Sequence, residues 1–354
     1  MAPSATIIIP TRDRPDYLDV ALTSIAGQAR RDGAEMVVVD DGHDNTTEQV
    51  GLRHGARYVA LGSPRGLNAA RNAGIDAAQS ELLIFVDDDV EVDPGWLSAY
   101  LDAAKRLPHV GVFTGPIHAR LEGRAAQRQT CGREGAPITN QDHGDGDRDV
   151  VSGWGANLAI RAETFRTFGR FDEQLPVGTG DELEWEQHYL DAGGRIRYVA
   201  AAALDHRRAP ADATLWALAR AAARRGVTAR RFDERTSAAP ALRSELRTLA
   251  GCIWHTFGRR CANGPVLAAH SAGRLVAALR PQGPPTPAHK GEDFLSGESG
   301  TVGGRRDAIR ALADAGLDVL ALPTRVALAR AARRQPPRRA HDSATGMRGR
   351  SAHI

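Results

Sequence analysis

The stretch LLIFVDDDVEVDPGW, residues 82–96, runs five apolar residues straight into three consecutive carboxylates, Asp87, Asp88 and Asp89. A short unbroken apolar run reads as a strand buried on both faces. Like charges gathered at the end of such a strand repel one another and resist desolvation, so water or a cation has to neutralise them. Hard divalent cations prefer carboxylate oxygens and often bridge to phosphates, which makes a D-x-D at a strand's carboxyl end a candidate clamp for a metal and a diphosphate. Asp87 and Asp89 form that pair: alternation along a strand puts them on one face and turns Asp88 away. An acidic turn capping the helix that DPGW begins accounts for the same residues equally well, so the triplet alone leaves the choice open.

Upstream lie three more β-branched runs, TIIIP at 6–10, MVVVDDG at 36–42 and ARYVAL at 56–61, with amphipathic stretches at 17–29 and 67–78. Strands alternating with helices make right-handed crossovers and a doubly wound α/β sheet. Ligands of such sheets bind outside the carboxyl ends of the strands, where three of these runs place polar residues. Asp40 and Asp41 end one of them and suit a base N–H or a ribose hydroxyl, although Asp-Gly is also a strong turn dipeptide. In SPRGLNAARNAGI, residues 63–75, Arg71 sits on a helix behind a glycine-containing loop. There a guanidinium can pair with phosphate or carboxylate, or simply be solvated.

Downstream, residues 115–149 are polar and rich in Gly and Arg and read as an irregular connection. Order resumes at VVSGWGANLAIRAETFRTFGRFDE, residues 150–173, and at GTGDELEWEQHYLDAGGRIRYV, residues 178–199. The latter predicts a helix starting near Asp181 and capped by Gly193-Gly194, then a strand. Its acidic start, Asp181, Glu182, Glu184 and Glu186, has two readings. A carboxylate at a helix N-terminus is favoured in the ionised form that a general base needs. Asp181 and Glu184 also have the spacing of a capping box, which leaves Glu182 unused. His206 in ALDHRR follows a strand and either offers an imidazole to a metal or is a structural histidine.

These patterns divide the chain into a catalytic unit over residues 1–208, a helical appendage over 209–280, a Pro/Gly-rich linker at 281–304, an amphipathic segment at 305–334 and a disordered basic tail at 335–354. The net charge is +3, but residues 301–354 hold eleven arginines against four aspartates, a local +7 that leaves −4 for everything before. Three cysteines with no C-x-x-C spacing argue against a disulfide framework or a zinc site and suit a reducing compartment. No run of about 18 apolar residues and no signal-peptide pattern is visible, so the expectation is a cytoplasmic protein, at most peripheral to a membrane.

Taken in order, IIIPTRDRPDYLDVALTSI, VVVDDG, PRGLNAARNAGI, LLIFVDDDVEVDPGWL, GANLAIRAETFRTFGRFDE and GDELEWEQHYLDAGGRIRYV resemble the family 2 glycosyltransferases over about residues 5–208. The resemblance implies a GT-A fold, a Rossmann-like doubly wound mixed sheet, here with a C-terminal helical appendage. It implies transfer of a sugar from a nucleotide diphosphate-sugar (UDP-, GDP- or dTDP-linked) to an acceptor hydroxyl, with inversion and with Mg2+ or Mn2+. Such transfer serves polysaccharide, cell-envelope glycan or glycosylated-metabolite synthesis.

Position by position, it places Pro10, Thr11, Arg14, Asp40, Asp41 and Arg71 around the nucleotide and Asp87 and Asp88 near the donor. Asp89, Asp87 and His206 fall at the metal, and Trp154, between Gly153 and Gly155, falls at the donor-sugar and acceptor site. The family's Glu-Asp pair is reversed here to Asp181-Glu182; registering on AGGRI puts Glu182 at the base position, with Asp181 as the alternative. That reversal is the one hint of a non-catalytic nucleotide-sugar-binding scaffold. A nucleotidyltransferase is disfavoured because IIIPTRDRPDY has neither Gly nor Lys, and an oxidoreductase because no G-x-G-x-x-G follows the first strand. The arginine-rich C-terminal region suits a solvated helical face or peripheral contact with the inner face of the plasma membrane, and no nucleic acid is expected.

Overall fold

The computed structural model describes residues 4–43, 45–123, 138–174, 182–235 and 238–280. Four parallel strands form its N-terminal half: β1 (Thr6–Thr11), β2 (Glu35–Asp40), β3 (Arg57–Ala60) and β4 (Leu82–Val86), in the order β3-β2-β1-β4. Every residue of β1 is buried. Ile7 and Ile9 enter the core on one face of the sheet and Ile8 the core on the other, as the two-residue period requires. Each such side chain taken from water contributes about 1.5–3 kcal/mol.

Helices α1 (Pro15–Asp32), α2 (Asn45–Arg53) and α3 (Leu67–Ala77) make the crossovers. Pro15 opens α1, where a missing N–H costs nothing, and Gly33 closes it in the left-handed conformation at φ 70°. Its buried face, Leu18, Ala21, Leu22, Ile25 and Ala29, follows the helical period. Helix α2 was not evident from the sequence, because its polar NTTEQVGLR buries only Thr47, Val50 and Gly51.

Beyond β4 the sheet turns mixed. Strand β9 (Asn157–Arg161) runs antiparallel between β4 and β6 (Val112–Thr114), followed by β10 (Ile196–Tyr198) and antiparallel β8 (Arg148–Val150). A second sheet of β5 (Val90–Val92), β11 (Leu204–Arg208) and β7 (Ile117–Leu121) begins one residue after the acidic triplet. The segment from residue 115, read as irregular, thus supplies β7, which pairs in parallel with β11. Its charged composition hid it: only Ile117 of IHARL is fully buried.

Asn157 joins the layers. Its Oδ1 accepts from Trp96 Nε1 at 2.9 Å and Tyr100 Oη at 2.8 Å, both on α4 (Trp96–Arg106). Its Nδ2 donates to the carbonyls of Pro116 and Ala202, which lead into the second sheet. Two shorter helices complete the unit, α5 (Ala162–Phe168) and α6 (Leu183–Asp191), the latter starting two residues later than expected, with Glu182 at the N-cap.

The appendage is three helices, α7 (Leu215–Arg235), α8 (Leu242–Gly258) and α9 (Gly264–Leu279). Leu218 and Ala222 of α7 and Val266 of α9 pack with Ile138 and with Ala119 and Leu121 of β7. The linker, amphipathic segment and tail expected at 281–354 lie outside the described residues. The mixed α/β sheet with C-terminal helices is the expected class.

Helices α7 and α9 cross at glycines: a Cβ on Gly226 would lie 2.0 Å from the His270 carbonyl oxygen, and one on Gly273 2.0 Å from that of Ala223. Gly226→Ala is therefore expected to destabilise the protein by about 1–3 kcal/mol in urea unfolding, the cost of overpacking. Gly251→Ala on α8, where a Cβ meets nothing, should gain up to about 1 kcal/mol of helix propensity.

His270 gives a second expectation. Burial, with Arg274 and Arg225 nearby, pushes its imidazole down to about 3, against 6.5 for an unperturbed ring. The unfolded chain binds this proton below 6.5 and the folded chain does not. Stability should thus fall by about 1.4 kcal/mol per pH unit as the pH drops below 6.5. Urea unfolding across that range should show a shallower acid loss in His270→Gln.

Candidate active site

The three aspartates at the end of β4 occupy a turn, and their side chains part as the alternation suggested. Asp88 turns toward β1, where its Oδ2 accepts from Thr11 Oγ1 at 2.7 Å and from Arg14 Nε at 3.2 Å. Asp87 and Asp89 turn the other way, to His206: one ligand atom from each of the three lies within 4.8 Å of the others. Strand β11 puts His206 there by pairing antiparallel with β5, His206 opposite Val90. Two residues on, hence on the same face, Arg208 pairs with Asp89 Oδ2, to which Arg14 also donates at 3.0 Å.

These neighbours set the charge states. Burial raises Asp87, the charge of Asp89 adds to the effect, and Arg71 and His206 oppose it. Asp88 is pushed up to about 7, by burial first, against the pull of Arg14. Burial also works against ionisation of Asp89, but His206, Arg208 and Arg14 together hold it well below the usual carboxylate range. Arg14, in turn, is raised by Asp88 and Asp89 despite its own burial penalty.

The donor set fits a divalent cation. His206 Nδ1 lies 3.2 Å from the Thr139 carbonyl oxygen, which can only accept, so Nδ1 carries a hydrogen. Nε2 then faces Asp89 Oδ1 at 3.2 Å, and that oxygen is buried without a hydrogen bond of good geometry. Either Nε2 holds a second proton, or its lone pair and the carboxylate share a cation. Two carboxylates and an imidazole whose far nitrogen is tied to a carbonyl are a familiar set for such an ion.

A second acidic assembly adjoins the first. Glu182 Oε1 accepts from the Gly155 N–H at 3.0 Å, and Oε2 from Arg71 Nη1 at 3.2 Å. Both partners are buried, and Glu182 is near enough for its charge to act on Asp87. Arg71 also lies over the Phe171 ring, at 5.7 Å. A Cβ on Gly155 would lie 1.9 Å from Arg71 Nη2, so the close approach requires glycine. Glu186, one turn further along α6, accepts from the Gly153 N–H with both oxygens at 3.1 Å. Burial and the charge of Glu182 raise its carboxyl well above the usual range. The segment 153–155 is thus pinned by two carboxylates of one helix, with Trp154, partly buried, between them.

The remaining predicted residues take quieter places. Pro10 is buried in β1 opposite Val39. Asp40 accepts from the Gly42 N–H at 2.7 Å and from Tyr58 Oη at 2.9 Å. Asp41 accepts from the backbone N–H groups of Arg65 and Gly66, fixing the turn into α3. Asp181 lies outside the described residues, so the capping box with Glu184 does too. Sequence reading missed the role of Arg208, although period-two alternation from His206 would have found it. It also missed the Thr139 carbonyl, 67 residues from His206, for which no local signal exists.

Residues 6–168 match the model of glycosyl transferase family 2. Among curated relatives, the pre-mycofactocin glycosyltransferase of Mycobacterium tuberculosis is 29% identical over 213 residues, 57% of this chain and 43% of its own. The O-antigen biosynthesis protein RfbC of Myxococcus xanthus is 29% identical over 225 residues, 58% of this chain and 17% of its own. The chain therefore spans less than half the length of these two relatives. The mannosyltransferase PcManGT of Pyrobaculum calidifontis, solved with GDP-Man and Mn2+, aligns over 94% of this chain and 80% of its own at 16% identity and a TM-score of 0.48.

If Asp87, Asp89 and His206 hold the cation, Asp89→Asn should weaken Mn2+ binding at least about tenfold, the loss that removing even an outer partner brings. Titration followed by the electron paramagnetic resonance of free Mn2+ reads this directly. Equal binding by the variant would place the ion elsewhere.

Proposed function

We propose that the protein is a metal-dependent, inverting glycosyltransferase that moves a sugar from a nucleotide diphosphate-sugar to an acceptor hydroxyl. The observation that carries the reading is the meeting, on one side of the sheet, of the Asp87, Asp89 and His206 cluster with the buried Glu182–Arg71 pair. The match of residues 6–168 to the family model supports it.

Held by Asp89, Asp87 and His206, Mg2+ or Mn2+ would supply positive charge to the diphosphate leaving group. Arg14 and Arg208, already at Asp89, add guanidinium donors suited to phosphate oxygens. Glu182 is the general base: its carboxylate takes the proton of the acceptor hydroxyl while that oxygen forms a bond to C1 of the sugar. The C1–O bond to the diphosphate breaks on the opposite face, its electron pair leaves with the phosphate oxygen, and the configuration at C1 inverts.

The Gly155 N–H and Arg71 fix the direction in which Glu182 points, so that the base is oriented before substrate arrives. Pro10, Thr11, Asp40, Asp41 and Asp88 belong in this reading to the nucleotide side, and Trp154 to the sugar and acceptor side. The O-antigen relative favours an envelope glycan as acceptor. A cytoplasmic location with peripheral contact at the plasma membrane completes the proposal. Its support is the arginine excess of the C-terminal region and the finding that, among the described residues, no helix is long and apolar enough to cross a membrane.

Release of nucleoside diphosphate from a panel of UDP-, GDP- and dTDP-sugars, with Mn2+ and then with chelator, tests the reaction. Glu182→Gln should lower turnover by about 100-fold or more, as loss of a general base does, while donor binding by calorimetry stays unchanged. Full turnover in that variant would remove Glu182 from the chemistry.

A further inference from the structure

Helix α8 is inverted relative to an ordinary surface helix. It turns Glu245, Cys252 and His255 inward, where Glu245 accepts from Arg274 Nε at 3.0 Å and Arg274 Nη2 at 2.7 Å on α9. Outward it presents Leu242, Leu246, Ile253, Trp254 and Phe257, with Trp254 69% and Phe257 76% exposed. Spacings of 4, 11, 12 and 15 from Leu242 place all five on one side of a helix of 3.6 residues per turn. Single exposed apolar residues are ordinary, but a continuous row with two large aromatics marks a surface that meets something apolar.

The charges around the row say what that is. Arg243, Arg247, Arg259 and Arg260 are exposed beside it, and the one carboxylate between residues 242 and 260 is the buried Glu245. Over residues 213–280 twelve arginines stand against three carboxylates, so the basic character extends well before the tail. The complementary partner is apolar in its interior and negative at its edge. A second copy of the chain would bring the same arginines to the contact. Residues 301–354 carry their own +7. Neither supplies the negative charge.

We infer that α8 docks lengthwise on an anionic lipid bilayer, its apolar row in the boundary between headgroups and acyl chains and its arginines at lipid phosphates. Seventeen residues lying in the plane present about 26 Å of contact. Trp254 suits the interface, where an indole keeps its ring apolar and its N–H wet. The docking is independent of the transfer reaction, since lipid partition can be read without a donor sugar.

The full-length protein, sedimented with vesicles of phosphatidylcholine alone and of equal parts phosphatidylcholine and phosphatidylglycerol, tests this. Binding is expected only to the anionic vesicles. It should drop at least about tenfold in the double variant Trp254→Ser, Phe257→Ser, and about fivefold per residue in Arg243→Gln and Arg247→Gln, with melting curves unchanged. Wild type that ignores anionic vesicles, or the double variant binding as wild type, overturns the inference. So does a lipid-free dimer that the double variant dissociates in sedimentation velocity, which would give the face to a second copy. Binding lost only on changing Arg333, Arg334, Arg338 and Arg339 to Gln would give it to the tail.

Discussion

Three carboxylates side by side at the end of the central strand, Asp88 and Asp89 buried and Asp87 half-buried, are the constraint around which this protein is organised. Uncompensated, such a cluster would cost several kcal/mol per charge, and removing one partner of a buried pair typically costs about 3–5 kcal/mol. Compensation comes from three separate parts of the chain. The end of β1 and the start of α1 bring Thr11 and Arg14 to Asp88, and β11 brings His206 and Arg208 to Asp89. Asp87 keeps a raised affinity for its proton and faces the same histidine. The second sheet exists in large part to hold that arrangement: β5 follows the triplet at once, and β11 lies against it in the register that sets His206 opposite Val90.

Around the second acidic pair the logic is steric. Arg71 is buried on α3 and reaches Glu182 at the head of α6 past Gly155, where a side chain would meet its guanidinium. Glu186 holds the Gly153 end of that segment and Glu182 the Gly155 end. Two carboxylates one helical turn apart thus receive different environments. Glu186, with no guanidinium bonded to it in the described contacts, is driven toward its neutral form, whereas Glu182 has one within hydrogen-bond reach. Such a division suits the proposed roles, Glu186 fixing the loop and Glu182 acting as base.

The appendage reverses the usual distribution of polarity. Its interior contains an ion network in which Arg274 bridges Glu245 and Asp233, while α8 shows its apolar side to the exterior. Glycines at the α7–α9 crossing bring those two backbones close, and α8 packs on α9.

The sequence by itself determined the parallel half of the sheet, the amphipathic run inside α1, and the opposed directions of Asp87 and Asp88, because apolar period and alternation are local properties. It also showed which carboxylates gather at strand and helix ends, and the ordered set of motifs pointed to the family. It could not show that Asp40 and Asp41 accept from the backbone N–H groups of Gly42, Arg65 and Gly66. Nor could it show that β9 inserts antiparallel between β4 and β6, or that the charged IHARL is a strand beside β11. Periodicity fixes which face of an element is buried and says nothing of which partner covers it. Arg208 meets Asp89 across 119 residues and Glu182 meets Arg71 across 111. Contacts at such separation are decided by the packing of whole layers, and only the tertiary structure sets them.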